Sequence, residues 1–156
     1  SVPGTDPDGA GPATIYGYDG FALVQNGVDA VADGGQVHVA DGTYTEAVVI
    51  NSKGMTLTGE SEAGVIVQAA AAKDPILAAN TFTINAAGKD ITLEQVTVRH
   101  GSDGIDVTDP GTLTLTNVSA TDNVNNGLTV HSSSGLLAGS TVSITGGNYE
   151  QFDFVA

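Results

Sequence analysis

The sequence predicts an all-β protein, a right-handed parallel β-helix of about five coils with a short helix capping its N-terminal end. Three observations predict it. Residues 91–107, residues 113–123 with 128–130, and residues 142–154 superimpose with almost no adjustment. Each has a short apolar alternation, a polar or glycine break, a second alternation, a turn and a third alternation. Their first strands begin 22 residues apart (Ile91 to Leu113) and 29 apart (Leu113 to Val142), so each unit leaves an apolar face that only its neighbour can cover. The turns between these short strands also lack the two-residue signals that hairpins favour, so the strands are expected to lie parallel, coil on coil, with right-handed crossovers.

Residues 1–20 are rich in glycine and proline and read as an extended lead-in; residues 21–156 form the β-helix domain. The one helix candidate spans residues 21–32. Phe21, Leu23 or Val24, Val28 and Val31 recur at helical spacing, Asp19 is placed to cap the start, and Gly34-Gly35 ends it. From Gln36 on, the pattern is short strands whose inward pairs are Val37 and Val39, Val48 and Ile50, Met55 and Leu57, Val65 and Val67, and Phe82 and Ile84. The Ala-rich residues 69–79 read as a loop inserted into one coil. In the repeats, Leu93, Leu115 and Ile144, then Val96 and Val98, then Ile105, Val107, Leu128 and Val130 are expected to stack inward.

Composition excludes some functions. Eighteen acidic residues against four basic ones give a net charge of -14, a field that repels nucleic acid and anionic membrane surfaces. No apolar run approaches the ~20 residues of a membrane-spanning helix, and with no cysteine neither a disulfide nor a thiolate metal site can form. No signal peptide is visible at Ser1, so a secreted protein would be represented here by a mature form or an excised piece.

Residues 37–59, with the Gly-Thr-Tyr of positions 42–44, preceded by residues 27–35, closely resemble the opening of pectin-lyase-like right-handed β-helices. In that group a short amphipathic helix caps the N-terminal end and a Gly-Thr-Tyr turn leads into the first full coil. The resemblance runs from about Phe21 onward and implies the fold rather than one activity, because the group includes lyases, hydrolases, esterases, epimerases and non-catalytic modules of large bacterial surface proteins.

Residues 99–106, Arg-His-Gly-Ser-Asp-Gly-Ile-Asp, are similar to the Asn-Thr-Asp-Gly-Ile-Asp stretch of polygalacturonases. That likeness implies Asp103 as one of the carboxylates that protonate the glycosidic oxygen or activate water. The paired Asp-Asp of that family becomes Asp122-Asn123 here, and its Gly-His-Gly and Arg-Ile-Lys elements have no counterpart. A lyase would instead use Arg99 to abstract a proton beside carboxylates such as Asp103 and Asp106. Asp103, Asp106 and Asp109, on successive turn positions, are the candidate ligands of a Ca²⁺ ion. Solvated turn carboxylates, with glycine permitting the bend, explain the same residues without chemistry. The outward residues Thr56, Thr58, Thr92, Glu94, Thr114, Thr116, Ser143 and Thr145 form a ladder of the kind ice-binding solenoids display, interrupted at Glu94; threonine is also an ordinary outward strand residue.

The expected function is therefore an extracellular structural or adhesive module of a bacterial surface protein, calcium-stabilised or in contact with carbohydrate. Its partners are further domains of the same parent protein or extracellular polysaccharide, with end-to-end self-association also open to it. Nucleic acid and membrane insertion are not expected. The alternatives are a polysaccharide lyase or glycoside hydrolase acting through Arg99, Asp103 and Asp106, and ice binding.

Overall fold

The structure, a computed structural model, describes residues 21–76, 79–133 and 139–155. The lead-in and the Asp19 cap lie outside the described residues. The helix α1 (Val24–Ala30) is shorter than its apolar spacing suggests. Val24 and Val28, four residues apart, form its buried stripe. No side chain from the N-cap residue Leu23 caps it. Instead the Glu46 carboxylate accepts from Val24 N at 2.8 Å and Gln25 N at 2.9 Å, satisfying amides that have no partner inside the helix. At the other end Lys53 Nζ donates to the carbonyls of Val28 and Val31, each at 2.7 Å.

Among the described residues twelve strands follow: β1 (Gly35–Val39), β2 (Gly42–Thr45), β3 (Val48–Asn51), β4 (Met55–Gly59), β5 (Val65–Gln68), β6 (Phe82–Asn85), β7 (Ile91–Arg99), β8 (Ile105–Thr108), β9 (Thr112–Ala120), β10 (Leu128–His131), β11 (Thr141–Thr145) and β12 (Phe152–Val155). The Gly-Thr-Tyr expected as a turn is β2, paired with β5. Every strand pair is parallel. One sheet has the order β12-β10-β8-β6-β3. The other branches at β7, whose first half pairs with β4 and whose second half pairs with β5. The branch has a local cause. Gln95 (φ 56°) in β7 and Asn117 (φ 49°) in β9 bend their strands through the left-handed region, as does Gly146 (φ 67°) just after β11. The polar or glycine break of each repeat is thus a corner, and β7 and β9 continue through it.

The inward rows agree with the alternation. Met55, Ile91 and Leu113 stack in register, as do Leu57, Leu93, Leu115 and Ile144, and Phe82, Ile105, Leu128 and Phe152. All are fully or nearly fully buried except in the last strands, where Ile144 is partly buried and Phe152 and Phe154 are 45 % and 51 % exposed. Residues 69–76 form no strand, and Ala71 to Ile76 are exposed. No helix among the described residues is long and apolar enough to cross a membrane.

Candidate functional site

The turn between β7 and β8 is built on space as much as on bend. Neither Gly101 nor Gly104 has a positive φ, so conformational freedom is not what these positions require. A Cβ on Gly104 would come within 2.7 Å of both Asn123 Nδ2 and Gly127 O. The neighbouring turn lies directly against this one: Asn123 Oδ1 accepts from Gly101 N at 3.0 Å, and Val124 N and Asn125 N donate to the carbonyls of Gly101 and Ser102.

That packing gathers Asp103 and Asp106 into one polar network. Asn80 bridges them, accepting from Asp103 N at 3.0 Å and donating to Asp106 Oδ2 at 2.9 Å. The Asp103 carboxylate accepts from Asn126 N at 3.1 Å and from the buried Thr129 hydroxyl at 3.3 Å. His131 Nε2 lies 3.0 Å from Asp106 Oδ1, at ion-pair distance, although this buried oxygen receives no aligned hydrogen bond. Burial, with the Asp106 side chain only 22 % exposed, pushes its carboxyl above the usual range. His131 opposes the rise and the Asp103 charge adds to it.

The other candidates are placed elsewhere. Arg99 Nε donates to Gln68 Oε1 at 2.9 Å, and Gln68 donates onward to Thr45 Oγ1 at 2.9 Å, a ladder along β7, β5 and β2. Arg99 makes no ion pair with Asp103 or Asp106 among the described residues. Asp109 is turned toward Ser133, whose N–H and hydroxyl both donate to it and hold its carboxyl below the usual range. The structure thus brings Asp103 and Asp106 together without Asp109 or Arg99, and no three His, Asp or Glu side chains among the described residues gather as metal ligands.

His131, Asn80, Asn126 and Thr129 were missed as site residues. For His131 the repeat contained the signal: residues 128–131 align on residues 105–108, with Thr129 opposite Asp106 and His131 two residues further along the same face. Asn80 had none, since it follows the inserted loop.

On the branched sheet the ladder is in register. Thr56, Thr92, Thr114 and Ser143 form one outward row, and Thr58, Glu94, Thr116 and Thr145 the next. Glu94 accepts from the Thr58 hydroxyl at 3.1 Å. No protein-family model, curated protein or solved structure matches the chain.

Proposed function

We propose that this chain is a right-handed parallel β-helix of the pectin-lyase-like kind and serves as an extracellular structural or adhesive module of a bacterial surface protein. Further domains of that protein or extracellular polysaccharide would be its partners. Parallel pairing of every strand among the described residues, with steps of 22 residues (Ile91 to Leu113) and 23 residues (Ile105 to Leu128) between partner strands, supports the fold.

One observation carries the functional reading: the carboxylates are used as staples. Asp33 accepts from Gly54 N, Glu46 from Val24 N and Gln25 N, Glu60 from Asp41 N, Asp90 from Thr112 N, Asp103 from Asn126 N and Asp109 from Ser133 N. Each of these bonds joins residues 19 to 24 apart, about one repeat. Acidic residues engaged in this way tie each repeat to the next, which supports a structural role. A glycan array combined with turnover assays on pectin, polygalacturonate and alginate tests the reading. Binding without turnover supports it, and reducing ends or unsaturated product that vanish in Asp106→Asn overturn it.

The hydrolase or lyase alternative has one observation in its favour, the raised carboxyl of Asp106 beside Asp103, a combination suited to a general acid. Ice binding has the register of its two rows, with Glu94 the sole charged group among their eight residues, and thermal hysteresis measurements test it.

A further inference from the structure

We infer that His100 is a proton-dependent latch, which as an imidazolium pins the segment 69–76, exposed from Ala71 on, onto the adjoining turns and releases it when neutral. The His100 side chain is only 10 % exposed, and its backbone lies in the left-handed region (φ 60°), where histidine is among the more readily accommodated residues. Its Nδ1 is 3.0 Å from Ala70 O, and its Nε2 is 3.2 Å from Asp122 Oδ2.

A carbonyl oxygen and a carboxylate oxygen can only accept. Neutral imidazole has a single N–H, so in either tautomer one ring nitrogen would turn a lone pair toward an oxygen lone pair. Only the doubly protonated ring donates to both. The geometry therefore matches the charged ring, and loss of its proton to solvent removes one of the two bonds.

What the latch holds is lightly attached. Ala71 to Ile76 are exposed, Ile76 to 90 %. The described polar ties of this segment to the adjoining turns are Ala69 N to Arg99 O at 3.2 Å, the His100 contact with Ala70, and Lys73 Nζ to Asp122 Oδ1 at 3.6 Å. Asp122 thus stands between two cations, His100 on one oxygen and Lys73 on the other. The remaining charged groups nearby are engaged elsewhere: Arg99 with Gln68, Asp74 with Ile76 N, and Asp103 with Asn126 and Thr129. The Lys73 pair is solvent-exposed and weak by itself, so the buried ring is the principal tie.

The chain has no cysteine, so a nitroxide on Ala72→Cys reports this segment alone. When the pH is raised until nitrogen NMR shows that the His100 imidazolium has lost its proton, the ratio of mobile to immobile label should rise about tenfold, equivalent to one charge-assisted hydrogen bond. Nitrogen NMR of His100 should show the imidazolium wherever the label is immobile. His100→Gln should make the label mobile at every pH, and Asp122→Asn, a change at an exposed carboxylate, should weaken immobilisation at the acid end. A neutral His100 with the label still immobile, or a pH response that survives in His100→Gln or in Asp122→Asn at full size, would overturn the latch.

Discussion

Leu115→Ala tests the stacked core at its centre. Leu115 is fully buried between Leu93 and Ile144 of the partner strands. Removing three carbon groups at about 0.8 kcal/mol each forfeits about 2.4 kcal/mol of transfer free energy. The strand is hydrogen-bonded on both sides, so the neighbours cannot close in. A residual cavity of about 50–100 Å³ adds about 1–2.4 kcal/mol. The expected loss is about 3–5 kcal/mol, read from urea unfolding with an unchanged m-value. Ile144→Ala provides the contrast, because Ile144 is only partly buried and its strand β11 is paired on one side among the described residues. There the cost should be about 1–2 kcal/mol, since the vacated space opens toward solvent. Equal losses at the two positions, or a Leu115→Ala cost below about 1 kcal/mol, would refute the argument that interlocked rows carry the stability.

Four further outcomes follow from the geometry. Burial raises the Asp106 carboxyl, so between its ordinary and its raised value the folded chain keeps a proton that the unfolded chain releases; stability should fall as pH rises through that window, and Asp106→Asn should flatten the slope in thermal melts. Asp109 has the opposite sign, because its Ser133 bonds hold it low and their stabilisation should be lost as pH falls through its folded value. Gly104→Ala should cost about 1–3 kcal/mol in denaturant unfolding, since the added methyl meets Asn123 and Gly127. Glu46→Gln leaves one acceptor oxygen for the two amides at the start of α1 and should cost about 0.5–2 kcal/mol.

The inward rows were legible because period-two alternation records which face of a strand is buried, and the strands at Val37, Val48, Met55, Val65 and Phe82 lie where it placed them. The repeat also gave the register of Leu93 on Leu115 on Ile144. The corners were not legible as corners. Gln95 and Asn117 look like strand ends in a one-dimensional pattern, yet they are bends inside continuous strands. The helix was overextended because Phe21 and Val31 share its apolar spacing, while its true start depends on Glu46, a contact 22 residues away that no local pattern encodes. The same holds for the site. Asp103 and Asp106 could be singled out from one short stretch, although Asp106 lies inside β8 and not on a turn, but their bridging partner Asn80 is 23 residues from one and 26 from the other.

The staple pattern also gives the acidity a physical origin beyond solubility. Where one turn stacks on another, main-chain N–H groups at the corners fall outside the regular ladders and need acceptors. A carboxylate offers two oxygens on a short stem and reaches across one repeat. Ionised acceptors also make stronger bonds to N–H than neutral ones. Asp90 on Thr112, Asp103 on Asn126 and Asp109 on Ser133 repeat that solution at successive corners, and Asn123 on Gly101 is its neutral version. At the N-terminal end Gln25 offers the neutral form to a sheet edge: its carboxamide accepts from Val49 N at 2.7 Å and donates to Val49 O at 3.0 Å, bonding like one residue of a neighbouring strand. Lysine and arginine cannot accept and so cannot serve at these corners. A chain that closes most of these corners with carboxylates therefore accumulates negative charge as a by-product of stacking.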